Sequence, residues 1–272
     1  MSSSPSRTQS PSPFQSSQYP GCLNVSIVQH NCLGSSNVFQ TLFSSFTSVE
    51  SSPDLVALQD IPLWRNCPRV FRNYKCFFPP PTKSYKPGVA TYVSERLLSV
   101  ISILQLFFER GDLMAVNFHS PGGLFDTSHN LFRLFNAYSI PSGHTRSLSP
   151  VDLFPQHDFP TLVLGDLNIH DTTSHPTRLL SNYDQFIRSP YFNRALAQLF
   201  SLFITPWVYI RFAFTSNHRP AVLDLCFANT ALGPNFSSWK PTLRPTGSDH
   251  TALTPVLSTP LQKPQPKGLN GK

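Results

Sequence analysis

Asp166, Asn168 and His170 follow one another at two-residue spacing in the stretch TLVLGDLNIHD, from Thr161 to Asp171. The apolar run Leu162-Val163-Leu164 reads as a buried strand, so this alternation presents a carboxylate, an amide and an imidazole on one face at the strand's mouth. Such a set suits a divalent metal and a phosphate. Gly165 is expected to let the backbone turn sharply where the core ends. A strand ending in Gly-Asp also serves as an ordinary turn, so the case depends on partners elsewhere in the chain.

Those partners recur at the ends of other apolar runs. GSDH, residues 247–250, supplies Asp249 and His250 just before a strand from Thr251 to Leu257. Val222 to Phe227 alternates as a strand and sets Asp224 on the face opposite Leu223 and Leu225. An acid in mid-strand is expensive to bury unless it meets a cation, a donor or solvent. Leu23, Val25 and Ile27 form a half-buried strand that finishes at Gln29-His30-Asn31, and Leu55 to Leu58 is a buried strand that finishes at Gln59-Asp60. Asn136 and Tyr138 close a strand from Phe132 to Tyr138.

Other segments have to position these ends. Val38, Leu42 and Phe46 fall four apart, as on the inner stripe of a helix. Strands are predicted over Gly88 to Val93, Leu98 to Leu104 and Leu113 to Phe118, with Gly111-Asp112 as a tight turn between the last two. Arg178 to Arg188 and Ala195 to Phe203 have helical spacing, with Pro190 between them. No internal repeat and no linker interrupts residues 22–258, which predicts one domain between disordered tails at 1–21 and 259–272. The 27 prolines among 272 residues imply many loops and strand edges rather than long helices.

The charge of +7 suits a polyanionic partner. Its distribution is more telling, because no acidic residue occurs from Ile61 to Ser94, while Arg65, Arg69, Arg72, Lys75, Lys83 and Lys86 do. Trp64, Tyr74, Phe77, Phe78 and Tyr85 are interleaved with them, which gives cations for phosphates and rings for stacking or packing. The alternative is a solvated basic loop over an aromatic core. Cys22, Cys32, Cys67, Cys76 and Cys226 form no C-x-x-C pair, so reduced thiols, an intracellular protein and no structural zinc are expected. Leu97 to Phe108 is too short to span a membrane, and Ala195 to Phe214 is broken by Pro206 and Arg211. The start lacks the apolar core of a secretory signal.

Taken in order, the contexts QHN, LQD, NAY, GDLN, VLDL and GSDH resemble the successive motifs of the endonuclease/exonuclease/phosphatase superfamily, which includes pancreatic deoxyribonuclease, abasic-site endonucleases and inositol phosphatases. The resemblance spans about residues 22–258. The longer strings GDLMAVNF, FRLFNAYSIP, FPTLVLGDLNIH, NHRPAVLDLCFAN and GSDHTAL resemble the endonuclease domain of non-LTR retrotransposons, particularly those of fungi.

That resemblance implies an α+β fold, a four-layer α/β/β/α sandwich with two mostly antiparallel sheets face to face and helices outside. It implies Mg²⁺, or Mn²⁺, held by Asp60, Asp249 and Asn31, and DNA as the partner, with no membrane and no obligate protein partner. His250 would take the proton from the attacking water and Asp224 would hold its imidazole. Asp166 would orient water or serve the leaving group, and Asn168, Asn136, Tyr138 and Asn31 would order hydrogen bonds around the scissile phosphate. His119 and His144 fall outside this set, and His170 is expected to be an exposed neighbour. One departure stands out: the family usually has Glu where this chain has Asp60. A nuclear, DNA-nicking enzyme is the first expectation. A phosphatase acting on a small phosphoester or inositol phosphate is the second, and a catalytically decayed domain that only binds nucleic acid is the third.

Overall fold

The computed structural model describes residues 22–46, 52–120, 130–139, 148–154, 159–167, 190–198, 200–202, 224–242, 246–248, 250 and 252–260. In chain order, β1 (Cys22–Asn31), α1 (Ser36–Ser44) and β2 (Leu55–Gln59) open the fold, and the short strands β3 (Leu63–Trp64) and β4 (Cys67–Pro68) follow. Next come β5 (Tyr74–Phe77), β6 (Val89–Ser94), α2 (Glu95–Leu98), β7 (Ser102–Leu106), β8 (Leu113–His119) and β9 (Asn130–Tyr138). The last part comprises α3 (Pro150–Leu153), β10 (Thr161–Asp166), α4 (Pro190–Ala197), β11 (Phe200–Leu202), β12 (Asp224–Asn229), β13 (Phe236–Thr242) and β14 (Ala252–Pro260).

The strands form two six-stranded sheets and the small β3–β4 hairpin. The first sheet runs β13-β14-β1-β2-β6-β5 and the second runs β11-β12-β10-β9-β8-β7. Among the described residues each has a single parallel pair, β1 with β2 and β10 with β9, beside antiparallel neighbours. The predicted two-sheet sandwich is therefore observed.

Alternation along the strands builds the layers. Val25, Ile27, Leu55 and Ala57 from the first sheet meet Leu134, Leu162, Leu164 and Cys226 from the second in one buried cluster between the sheets. The residues one step along, Val28, Val56 and Leu58, point the other way and pack with Val38, Phe39, Leu42 and Phe43 of α1. On the far side Phe135, Val163 and Phe227 pack with Leu153, Phe154 and Ala195, in and beside α3 and α4. Each fully buried aliphatic or aromatic side chain in these layers contributes roughly 1.5–3 kcal/mol. α1 starts at Ser35, whose side chain accepts from the Val38 N–H, the ordinary device for satisfying a free amide at a helix start.

Four expectations need correction. Leu98 ends a helical turn rather than beginning a strand, because the Ser94 hydroxyl accepts the Leu97 N–H and caps α2, and the strand begins at Ser102. The helix expected over Ala195 to Phe203 begins earlier, with Pro190 at its first position, where a missing N–H is harmless. Phe200–Leu202 instead pairs with β12. Gly165 is not a turn: it lies inside β10, where a Cβ would collide with the Ala137 carbonyl of β9, so its role is close approach of two parallel strands. The final strand pairs Pro260 with Cys22, so the folded region passes the expected boundary at 258. The helix expected over 178–188 and the tails at 1–21 and 261–272 lie outside the described residues.

Candidate active site

The inner face of each sheet is apolar in mid-strand and becomes polar at one end without losing its two-residue period. Val25 and Ile27 lead to Gln29 and Asn31, Leu55 and Ala57 lead to Gln59, and Leu134 leads to Asn136 and Tyr138. Leu162 and Leu164 lead to Asp166, and Ala228 and Cys226 lead back to Asp224. Tyr138, Asp166 and Asp224 lie side by side on three adjacent strands of the second sheet. Asn31 and Gln59 are partners in the first. The rule that fills the core with apolar groups thus also sets the site residues opposite one another.

Polar groups bridge the two sheets here. His250, just before β14, has Nδ1 2.6 Å from Asp224 Oδ2 and Nε2 3.9 Å from Asp166 Oδ2. The short contact assigns the ring proton to Nδ1, which leaves Nε2 on the Asp166 side as the basic nitrogen. Gln29 Nε2 donates to the other Asp224 oxygen at 3.3 Å, and Asn31 Nδ2 donates to Asp166 Oδ2 at 2.7 Å. Asp166 and Asp224 are each 1% exposed. Two neighbouring buried carboxylates are tolerable only with such donors and with positive charge nearby.

Asp60 follows β2 and completes the pole. Burial raises its carboxyl above the ordinary value, while a hydrogen bond from Tyr138 and the nearness of His250 pull it down. Tyr138 is raised in turn, by burial first and then by the charges of Asp60 and Asp166, so its phenol remains a proton donor. Asp60 has φ of 44°, a left-handed backbone that Asp and Asn tolerate better than longer side chains. The ladder enforces it: the Cys32 and Gly34 amides donate to the Gln59 and Asp60 carbonyls at 2.9 and 2.7 Å. A short acid where Glu is expected is thus matched to its local backbone.

The turn carrying His250 is tied to β1. The Ser248 hydroxyl donates to the Asn31 carbonyl at 3.0 Å and accepts the His250 N–H at 3.0 Å, and Gly247 supplies a positive φ of 85°. Ser248, Gln29 and Gln59 were not among the predicted residues. The signal for Ser248 was its place two before His250, suited to a hydroxyl-to-backbone turn. Gln29 and Gln59 have the parity of Asn31 and of the inner core, which marks them as inward-facing.

The structure brings Asn31, Asp60, Tyr138, Asp166, Asp224 and His250 to one pole. Asn136 is a correction. It is fully buried, accepts from Gln59 Nε2 at 2.6 Å and donates to the Leu58 and Ala90 carbonyls at 3.2 and 3.0 Å. Its donors are spent on backbone, so it fastens the two sheets and is not exposed to a phosphate. Asn31 holds Asp166 through its amide while its oxygen accepts the Leu33 N–H at 2.8 Å. Asn168, Asp249, His144 and His170 lie outside the described residues. His119 sits buried at the end of β8, away from this set.

Arg65, Arg72, Lys75, Lys83 and Lys86 are exposed and Arg69 is half-buried. Their segment is more than a loop, since it contains the β3–β4 hairpin and β5. Cys32, Cys67, Cys76 and Cys226 are free thiols. Among the described residues no helix is long and apolar enough to cross a membrane.

Fold and site together define a two-sheet sandwich with a carboxylate-braced imidazole and further acids at one pole. The chain belongs to the endonuclease/exonuclease/phosphatase family, which matches residues 28–250 and whose members are hydrolytic nucleases and phosphatases. No curated protein matches it in sequence. Among solved structures it is similar to the endonuclease domain of TRAS1, a telomere-specific non-LTR retrotransposon, with 14% identity, a TM-score of 0.60, and coverage of 88% of this chain and 100% of that one. It is also similar to the AP endonuclease LMAP from Leishmania major, with 16% identity, a TM-score of 0.66, and coverage of 87% and 88%. The 3′ phosphatase NExo from Neisseria, bound to product DNA hairpin, has 14% identity, a TM-score of 0.55, and coverage of 85% and 98%. At these identities the likeness is one of fold.

Proposed function

We propose that this chain is a divalent-metal-dependent phosphodiesterase that nicks DNA, of the kind carried by non-LTR retrotransposons, and that it acts in the nucleus. The observation that carries the reading is the orientation of His250: Asp224 grips Nδ1 at 2.6 Å, which turns the basic Nε2 toward Asp166. An imidazole so held can take a proton from an attacking water, and Asp224 stabilises the imidazolium that results. Asn31 fixes the Asp166 carboxylate, and Tyr138 keeps a proton with which to hold Asp60 or a phosphoryl oxygen.

The donor set fits a hard cation. Oxygen ligands dominate, and the upward shift of the half-buried Asp60 carboxyl marks a place where added positive charge is favourable. Asp60, with Asp249 and Asn31, would hold Mg²⁺ or Mn²⁺. When bound, the ion would neutralise the phosphoryl oxygens that otherwise repel an attacking hydroxide. Asp166, Asp224 and His250 also offer atoms within 4.8 Å of one another. The Nδ1–Asp224 contact contains a proton, however, so we assign this trio to proton transfer. Support for DNA comes from the retrotransposon-like strings, the acid-free basic stretch, and structural neighbours that are endonucleases and a DNA-bound phosphatase.

Plasmid relaxation in Mg²⁺, in Mn²⁺ and in EDTA, with His250→Ala alongside, tests the reading. Metal-dependent nicking lost in the variant is the expected result. Release of phosphate from inositol phosphates without nicking would replace it with the phosphatase reading, and DNA binding without turnover would replace it with the decayed domain.

A further inference from the structure

The basic stretch divides sharply once folded. Of its rings Tyr74 is buried and Phe77, Phe78 and Tyr85 are partly buried, while Trp64 is 66% exposed. Trp64 sits on the β3–β4 hairpin, opposite Cys67, and the two residues between them, Arg65 and Asn66, have φ of 51° and 64°. Two consecutive left-handed residues are the pattern of a type I′ turn, the two-residue loop that suits strand twist. Glycine is usual there, so an Arg at the first position is held against its own preference.

The base of this hairpin is fastened. Ile61, Pro62 and Pro68 are buried, Leu63 packs against the α1 layer, and the buried Tyr92 hydroxyl donates to the Arg69 carbonyl at 2.6 Å. The tip, Trp64 to Cys67, is exposed. An indole on a rigid, cationic projection presents a π-face and adjacent positive charge. That chemistry is complementary to a nucleic-acid base with its phosphate. The position fits as well, since Trp64 is four residues on from Asp60 and extended chain bridges at most ~14 Å over that length. At about 3.4 Å per nucleotide, this reach is roughly four nucleotides.

We propose that the β3–β4 hairpin is a docking element for an unstacked base, with Trp64 stacking on a nucleotide within about four positions of the scissile phosphate and Arg65 meeting the adjoining backbone. The inference rests on the phosphodiesterase reading above and adds a substrate class to it. A base inside a perfect duplex has both faces covered, so the preferred substrate is DNA with a bulge, a frayed end or a single-stranded stretch next to the nick.

The test is fluorescence anisotropy of fluorescein-labelled oligonucleotides with the full chain in EDTA, comparing a perfect duplex, a bulged duplex and a single strand, beside plasmid nicking in Mg²⁺. Wild-type protein is expected to favour the bulged and single-stranded probes. Trp64→Ala should weaken those two on the order of 10-fold and erase the preference, while Trp64→Phe keeps most of it. Arg65→Ala should weaken all three alike and flatten the salt dependence by about one unit of slope. Equal thermal unfolding of the exposed-site variants establishes that each is folded. If Trp64→Ala binds every probe as wild type does while nicking persists, the hairpin inference is overturned and the nuclease reading stands. If wild-type protein neither binds any probe nor nicks plasmid, both fall.

Discussion

Asp54 and Asp224 are both buried acids of the sandwich, 4% and 1% exposed, yet they are answered in opposite ways. Asp54 precedes β2, at the far end of that strand from Asp60. Arg96 donates to it from Nε and Nη2 at 3.2 and 2.7 Å, and Ser26 adds its backbone N–H at 2.9 Å and its hydroxyl at 2.8 Å. Asp224 receives a neutral amide from Gln29 and the ring of His250. At one end of the sheet a full positive charge is built into the chain. At the other the carboxylate is held in place by the Gln29 amide against the His250 ring, the pair to which we have assigned proton transfer. The first acid is saturated by a cation and a serine, whereas the second is oriented by a neutral amide and an imidazole, the arrangement the proposed function calls for.

Substitutions at the two ends should therefore fail differently. The largest effect is expected from His250→Ala, which should slow plasmid nicking roughly 10²–10⁴-fold, the usual contribution of a positioned acid–base group. Asp54→Ala should instead cost about 2–3 kcal/mol in chemical unfolding, less than a fully buried pair because Arg96 is half-exposed and recovers water. Its folded fraction should turn over near the wild-type rate. If Asp54→Ala lost turnover without losing stability, the division between the two ends would be wrong. Gln29→Leu sharpens the comparison, since it removes a donor that touches Asp224 and no substrate. A fall of about tenfold in kcat with KM unchanged is expected from one lost buried hydrogen bond. A raised KM with kcat intact would put Gln29 in contact with substrate.

Much of this division is legible before folding because the strand period carries through the core. Leu162, Leu164 and Asp166 share a face, as do Cys226 and Asp224, so the inward acids follow from parity once the apolar run is recognised. What parity leaves out is which sheet lies opposite. Gln29 and Gln59 looked like ordinary strand ends, since their value comes from acceptors 195 and 77 residues away in sequence. Asn136 departs from expectation for the same reason: its position is inward, but the carbonyls of Leu58 and Ala90 in the opposite sheet consume its amide. The edge strands β5 and β13 are not legible in the sequence, because β5 is only the four residues YKCF and Ser, Lys and Pro interrupt the alternation of β13, and their pairing comes from β6 and β14. Asp60 was legible as an acid at a strand end, but its φ of 44° was not, because the Cys32 and Gly34 amides that impose it come from another loop.

Asp60 supplies the smallest and most discriminating test. Burial raises its carboxyl above the ordinary 3.8, so the folded state holds this proton more tightly than the unfolded chain does. Below about pH 3.8 both states are protonated and the group contributes nothing to the difference. As pH rises from there to the raised native value, the unfolded chain ionises first and stability is lost, and above that value the penalty is constant. Asp60→Asn removes the titration, keeps an oxygen for the Tyr138 hydroxyl and suits the left-handed backbone equally well. In EDTA the variant should therefore unfold at a slightly higher temperature than wild type at neutral pH, with the gain vanishing toward pH 3.8. Added Mg²⁺ should reverse the order, because only the carboxylate gains from binding the ion. Asp60→Glu separates reach from backbone fit. It should bind Mg²⁺ more tightly or nick faster, while losing about 1 kcal/mol of stability to the left-handed φ. If Asp60→Asn is the less stable protein in EDTA at every pH, or if Mg²⁺ raises both unfolding temperatures equally, Asp60 is a structural acid like Asp54 and the ion belongs elsewhere.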